Sequence, residues 1–178
     1  PVLALRTVTY CTENEETPSL TVDVMRRDVG VPNSLAFSES ELRVFFADTQ
    51  RGTIDFANLS DSGEPRWTTW LDAHSARGRP DGAARDCEGY LWSARVGGSC
   101  IARIAPDGTV DRVVELPVSH PTSCAFGGEQ LDTLYVTSLR QRLTGEQLAQ
   151  QPLAGRLICA RIGVRGVAEP LFSSRVSY

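Results

Sequence analysis

Short apolar segments separated by turn-forming residues run along most of the chain. They are three to seven residues long, rich in Val, Ile, Leu, Phe and Tyr, and occupy 35–37, 44–47, 53–57, 67–71, 90–94, 100–104, 110–116, 122–126, 134–137 and 157–162. Segments of this length bounded by Gly, Pro, Asp or Asn are typical of strands in an antiparallel all-β protein. A helical pattern occurs over 145–151, which is too short for more than a turn or two.

A repeat emerges when the prolines are aligned. Pro32-Asn33, Pro80-Asp81 and Pro121-Thr122 each begin a segment of small residues, and an aromatic-rich segment follows after a turn. The prolines stand 48 and 41 residues apart. A period of roughly 40–50 residues with about four strands is typical of β-propeller blades. The sequence therefore predicts three to four blades of four antiparallel strands.

Three repeats make roughly half of a ring, because propellers generally close with about four to eight blades. We expect one partial propeller domain over residues 1–178. Residues 28–178 would form the recognisable blades, and residues 1–27 would be a poorly matched remnant of a preceding blade.

Composition narrows the classes of function. The net charge of −4 and the pI near 5.2 argue against nucleic-acid binding. No run of about 18 apolar residues predicts a membrane span, so no membrane partner is expected. The five cysteines form no C-x-x-C pair, which argues against a zinc knuckle and favours buried thiols in a reducing compartment. No secretory signal is visible, so the expected location is the cytoplasm.

The first strand of each blade is the expected place for chemistry. It lies innermost and lines the channel, so Asn33, Asp81 and Thr122 would be equivalent positions directed at one axis. Amide and carboxylate oxygens suit a hard divalent cation. Pro-Asn and Pro-Asp-Gly are also common turn formers, and that alternative stays open. Asp48 and Arg95 would lie near the channel or serve in turns and surface ion pairs.

Three stretches and a tail, in order, carry a family resemblance. They are Pro32–Phe37 with Phe46–Thr49, Pro80–Gly82 with Glu88–Trp92, Glu115–Val118 with Pro121–Gly128, and a tail of Asp132–Ser138, Gln151–Gly155 and Gly163–Gly166. The segment from about Asp28 to Phe172 resembles the later part of the gluconolactonase/regucalcin (senescence marker protein) family of six-bladed propellers. The fold class expected is therefore an all-β, partial six-bladed β-propeller.

The resemblance implies hydrolysis of a sugar-acid lactone, with one divalent metal ion in the channel. The family's metal-binding asparagine maps onto Asn33 and its aspartate onto Asp81. The family's third ligand, a glutamate near the start of the chain, has no counterpart in these 178 residues. The implied ion would be Ca²⁺, Zn²⁺ or Mn²⁺, and the resemblance implies no contact between the sugar and a residue of this chain. Ser34 replaces the usual glycine, so a positive φ there would be strained.

The implied mechanism is metal-assisted ester hydrolysis, with Asp81 as both metal ligand and catalytic base. With two protein ligands the ion would keep mostly water and bind poorly, so this chain alone is expected to be at most feebly active. Two alternatives remain open. One is a non-catalytic calcium-binding regulatory propeller, and the other is an inactive truncated relative that serves as an interaction surface.

Overall fold

The computed structural model describes residues 3–11, 19–38, 40–60, 65–72 and 74–168. Strands β1 (Leu3–Cys11) and β2 (Ser19–Val29) form a two-stranded sheet. Blade 1 consists of β3 (Pro32–Ser38), β4 (Arg43–Asp48), β5 (Thr53–Asn58) and β6 (Thr68–Leu71). Blade 2 consists of β7 (Arg79–Arg85), β8 (Leu91–Val96), β9 (Cys100–Ile104) and β10 (Val110–Glu115). Blade 3 consists of β11 (Pro121–Gly127), β12 (Thr133–Ser138) and β13 (Ile158–Arg161).

Each blade is an antiparallel meander, because strands that are consecutive in sequence pair with each other. Tight turns make this possible. In the turn between β9 and β10, Gly108 adopts φ +87°, and Asp107 Oδ1 accepts a hydrogen bond from Thr109 N at 2.9 Å. The first strands are neighbours, since β7 packs against both β3 and β11. The prediction of an all-β, partial propeller is confirmed.

The predicted strands overlap the observed ones, and the segment 100–104 coincides with β9. β1 and β2 were missed because residues 1–27 match no repeat. β7 contains no β-branched or aromatic residue, so its sequence alone does not resemble a strand. It was found only through its place in the repeat.

Apolar side chains pack between adjacent blades. Blades 1 and 2 share a core that contains Ala47, Ile54, Leu71, Leu91, Ala102 and Ile104. Blades 2 and 3 share a core that contains Trp92, Ala94, Ile101, Cys124, Leu134, Val136 and Val164. Burial of these side chains, at roughly 25 cal/mol per Å² of apolar surface, is what holds neighbouring blades together.

A buried arginine links several acidic side chains of blade 2 by hydrogen bonds. Arg103 on β9 donates from Nε to Asp86 Oδ2 at 2.8 Å, from one terminal nitrogen to Asp111 Oδ2 at 2.9 Å, and from the other to Glu88 Oε2 at 2.6 Å. Its guanidinium carbon lies 3.6 Å from the centroid of the Tyr90 ring. The charge is therefore fully paired where it is removed from water, as a buried ion requires.

The short helix α1 (Gly145–Gln150) follows blade 3's second strand. Thr144 Oγ1 accepts a hydrogen bond from Gln147 N at 3.2 Å, and Gln147 Oε1 accepts one from Thr144 N at 2.9 Å. This reciprocal capping box explains why a six-residue helix forms, and it confirms the helix predicted over 145–151 to within one residue. In the described part of the chain, no helix has the length and apolar character needed to cross a membrane.

Candidate functional site

The first strand of every blade is bulged near its proline. The pairing register shifts within 33–36 in blade 1, within 80–83 in blade 2 and within 121–123 in blade 3. Asn33, Asp81 and Thr122 therefore occupy matching places at the start of three neighbouring strands. A bulge redirects side chains relative to a regular ladder, and bulges are common next to functional sites.

A threonine hydroxyl connects Asn33 to blade 2. Asn33 Nδ2 donates a hydrogen bond to Thr49 Oγ1 at 2.9 Å, and Thr49 Oγ1 donates one to the carbonyl oxygen of Pro80 at 2.6 Å. Pro80 is bonded directly to Asp81. The structure thus brings the side chain of Asn33 next to the backbone that carries Asp81. Sequence reasoning did not identify this role of Thr49.

Ser34 makes a second connection between the same blades. Its Oγ donates a hydrogen bond to the carbonyl oxygen of Asp81. Ser34 adopts φ +50°, so the conformation expected to be strained in a non-glycine residue is present. The hydrogen bond offsets part of that strain, and it fixes the Asp81 backbone relative to β3.

Asp81 is half-buried, and its burial raises the pKa of its carboxyl group above the ordinary value. A backbone hydrogen bond from Gly82 acts in the opposite direction but is the weaker effect. None of the ion pairs among the described residues involves Asp81. Removal from water without a cationic partner disfavours the charged form, so this carboxylate gains from any cation that approaches it.

A cavity of about 370 Å³ lies beside these residues, and its lining includes Asn33, Ser34, Phe46, Gly82 and Ser123. Asp81 is not part of the lining. Gly82 allows the close approach of β7 and β11, since a Cβ atom there would lie only 2.2 Å from the Oγ atom of Ser123.

Thr122 does not join this group. Its Oγ1 lies 2.8 Å from Oγ1 of Thr137 on β12, which is in the same blade. The structure therefore brings together two of the three equivalent positions, in blades 1 and 2, by hydrogen bonds between blades.

Asp48 stabilises the backbone of neighbouring loops. Its carboxylate accepts backbone hydrogen bonds from Gly30 at 3.0 Å, Val31 at 3.2 Å and Gln50 at 3.0 Å, and it pairs with Arg51 Nε at 3.5 Å. Burial would raise the pKa of Asp48, but the backbone donors together hold it below its usual value. The turn interpretation of this residue is the one that the contacts support.

Arg95 has the matching role in blade 2. It lies opposite Pro80, as Asp48 lies opposite Pro32. The buried guanidinium donates to the carbonyl oxygens of residues 76, 77 and 78, at distances between 2.9 and 3.3 Å. Burial lowers the pKa of Arg95 to about 10. Both residues therefore shape the loops that lead into the first strands.

A larger cavity, of about 1050 Å³, lies toward the far ends of β3 and β7. Its walls include the exposed apolar side chains of Leu35, Phe37, Leu42 and Leu59. It contains neither Asn33 nor Asp81. Volume alone does not make a site, so we place the candidate site at the smaller cavity, which is lined by Asn33 and by Gly82, the residue that follows Asp81.

The donor chemistry at this site fits an oxygen-preferring cation. Asn33 donates its hydrogen bond to Thr49 through Nδ2. Among the described residues, no donor bonds to the other end of the amide, the carbonyl oxygen Oδ1. Asp81 supplies a half-buried carboxylate. No group of three or more His, Cys, Asp or Glu side chains that would hold a metal occurs in the described ranges. These two side chains offer fewer oxygen ligands than a divalent cation usually takes.

The remaining reactive residues lie elsewhere. Cys100 and Cys124 are buried as expected, whereas Cys87 and Cys159 are exposed, contrary to expectation. Cys124 packs in the core between blades 2 and 3, where burial raises the pKa of its thiol to about 12. That thiol stays protonated and serves packing.

The sequence of this chain is similar to those of known proteins. The sequence model of the SMP-30/Gluconolactonase/LRE-like region matches residues 13–140. A 6-deoxy-6-sulfogluconolactonase of Pseudomonas putida is 43% identical over 152 residues, which are 84% of this chain and 52% of that protein. An L-arabinolactonase of Azospirillum brasilense is 32% identical over 144 residues, which are 80% of this chain and 47% of that protein.

A solved structure has the same fold. The calcium-binding protein regucalcin from Agrobacterium tumefaciens matches with a TM-score of 0.80 and 29% identity, over 86% of this chain and 53% of that one. The chain spans about half the length of these relatives. The matched region, the sequence identity and the shared fold together show that the chain belongs to the SMP-30/gluconolactonase/LRE-like family.

Proposed function

We propose that this chain acts in the hydrolysis of sugar-acid lactones, with a divalent cation held in part by Asn33 and Asp81. The observation that carries the proposal is the hydrogen-bonded bridge from Asn33 through Thr49 to Pro80. It joins an amide of blade 1 to the backbone of a half-buried carboxylate in blade 2. Family relatives named as lactonases support the reaction class.

The ligand atoms are Oδ1 of Asn33 and the carboxylate of Asp81. Both are oxygen donors, which suit Ca²⁺ and Mn²⁺ and are also found at Zn²⁺ sites. The description of the Agrobacterium relative as a calcium-binding protein supports Ca²⁺ as the first ion to test. Two protein ligands are fewer than such ions usually take, so additional ligands complete the site.

When bound, the cation supplies a Lewis acid that polarises the lactone carbonyl and stabilises the negative charge that develops on its oxygen. Asp81 accepts a proton at a carboxylate oxygen from the attacking water, as a general base does. A bond forms between the water oxygen and the acyl carbon, and the ring C–O bond breaks. The proton is delivered to the ring oxygen as it leaves, which gives the hydroxyl group of the open sugar acid.

Acid release from gluconolactone and from a pentonolactone tests the proposal. We expect hydrolysis above the protein-free rate when Ca²⁺, Zn²⁺ or Mn²⁺ is added, and loss of that excess rate in Asp81→Asn. Asp107→Asn is the matched control, because it makes the same change in the exposed turn between β9 and β10. Equal activity of Asp81→Asn and the control would contradict the role of Asp81.

A calcium-binding role without turnover is the second candidate, and the regucalcin relatives favour it. The two candidates differ in one respect. Both require metal binding that depends on Asn33 and Asp81, but only the lactonase requires acid release that depends on them. Metal binding lost in Asp81→Asn, with no excess hydrolysis in the unmodified chain, would select the second candidate.

A further inference from the structure

The direction in which the Asn33 amide faces follows from the acceptor at the end of its hydrogen-bonded chain. The carbonyl oxygen of Pro80 can only accept a hydrogen bond, so the Thr49 hydroxyl must use its single proton there. Thr49 Oγ1 can then only accept from Asn33. The amide must present Nδ2 to Thr49, and Oδ1 must face the other way.

The same position in the other blades carries no hydroxyl. Thr49 follows the residue paired with the blade's first proline, and the corresponding residues are Val96 in blade 2 and Leu139 in blade 3. Thr49 N donates to Val31 O at 2.9 Å, and Leu139 N makes the matching bond to His120 O at 2.8 Å. The backbone contact of the blade therefore does not require a hydroxyl, which occurs in the blade that carries Asn33.

We propose that Thr49 is a positioning residue that holds the carbonyl oxygen of Asn33, and not its amide nitrogen, toward the cation. This inference rests on the proposed function, since it takes Asn33 as a ligand. An Asn amide has one ligating end and one end that repels a cation. Without Thr49 the two orientations would exchange, and part of the protein would present N–H groups to the ion.

Thr49→Val tests the inference, because valine keeps the shape of threonine and removes the hydroxyl. Mn²⁺ affinity of the full chain, measured from the electron paramagnetic resonance signal of free Mn²⁺, should fall by about 10–100-fold. Thr49→Ser restores a hydroxyl and should restore affinity. Thr133→Val is the matched control, because it removes a hydroxyl that donates to Asp132 at the start of β12, whereas Thr49 directly follows the end of β4.

Repeating Thr49→Val in an Asn33→Asp background shows whether Thr49 positions the amide or has a merely structural role. A carboxylate has an oxygen at both ends, so its orientation no longer needs to be fixed. Thr49→Val should therefore weaken Mn²⁺ binding strongly beside Asn33 and only slightly in the Asn33→Asp background. Equal weakening in both backgrounds would mean that the hydroxyl acts only through local structure, and would overturn the inference.

Two further outcomes distinguish this inference from the proposed function. If Asn33→Ala abolishes Mn²⁺ binding while Thr49→Val leaves it intact, the positioning role is wrong and the ligand assignment stands. If Asn33→Ala binds Mn²⁺ as the unmodified chain does, the ligand assignment fails and the inference fails with it.

Discussion

The first strand of blade 2 has an aspartate near each end, and the two carboxylates have opposite surroundings. Asp86, directly after β7, accepts hydrogen bonds at Oδ1 from Glu88 N at 3.0 Å and Tyr90 N at 2.9 Å. Its Oδ2 accepts from Trp92 Nε1 and Arg103 Nε, each at 2.8 Å. A buried carboxylate with this many donors is a structural element, since its charge is compensated inside the protein.

Asp81, near the start of β7, is half-buried, but its charge is not compensated by donors as that of Asp86 is. Burial raises its pKa, and the opposing contribution is a backbone hydrogen bond from Gly82. Blade 2 therefore has a compensated aspartate at one end of its first strand and an uncompensated one at the end where we propose that the cation binds. Proteins commonly tolerate such local destabilisation at functional sites.

The largest effect on stability is expected at Asp86, whose charge is compensated by hydrogen bonds and an ion pair. Asp86→Ala would leave the Arg103 guanidinium and the Trp92 indole without their shared acceptor. We expect the free energy of unfolding to fall by about 3–5 kcal/mol, as when one partner of a buried ion pair is removed. Urea unfolding at pH 7 measures this. A loss below about 1 kcal/mol would contradict the role assigned to Asp86.

The opposite sign is expected at the other end. Asp81→Asn removes a half-buried charge that has no ion pair among the described residues. In the presence of a metal chelator, its free energy of unfolding at pH 7 should equal or exceed that of the unmodified chain. A clear loss of stability would mean that Asp81 is a structural carboxylate like Asp86.

Asp48 and Asp81 should respond oppositely to pH. Because the backbone donors lower the pKa of Asp48, its stabilising contribution is present above the unfolded value of about 3.9 and is lost as the pH falls through the lower folded value. Asp81 has a raised pKa, so its cost appears as the pH rises from about 3.9 through the folded value.

Unfolding of metal-free protein between about pH 3 and 7 tests this pair. The stability advantage of the unmodified chain over Asp48→Ala should shrink toward low pH. The advantage of Asp81→Asn over the unmodified chain should grow toward neutral pH. Parallel pH profiles for the two variants would contradict the assigned environments.

The smallest effect is expected at Ser34, which joins the two blades beside the candidate site. Ser34→Ala loses the hydrogen bond to Asp81 O and keeps the positive φ, so it should cost about 1 kcal/mol. Ser34→Gly loses the same bond but relieves strain of about 1–2 kcal/mol. Thermal unfolding should therefore rank glycine above alanine, and the reverse order would show that the strain is negligible.

The repeat was predictable because each blade begins with a proline that fixes where its first strand starts. The equivalence of Pro32, Pro80 and Pro121 appears in the observed pairing with Asp48, Arg95 and Ser138. β1 and β2 were not predictable in this way, because residues 1–27 do not share the repeat.

The candidate ligands Asn33 and Asp81 were chosen from the repeat and the family resemblance, and their role stays a prediction. The connections made by Thr49 and Ser34 were not predictable, because they cross between blades. Hydrogen bonds between segments that are 31 or 47 residues apart depend on how the blades pack. In the sequence, Thr49 stands where the next repeat has Val96, and Ser34 stands where the resembled family usually has glycine.

Mn²⁺ binding in a double-variant cycle of Asn33→Ala and Asp81→Asn tests the central proposal most directly. If both side chains hold one ion, the unmodified chain binds one Mn²⁺ at this site, each single substitution lowers the affinity for that same ion, and the double variant binds it no more tightly than the weaker-binding single variant. If either substitution leaves the Mn²⁺ affinity unchanged, then Asn33 and Asp81 do not share a cation.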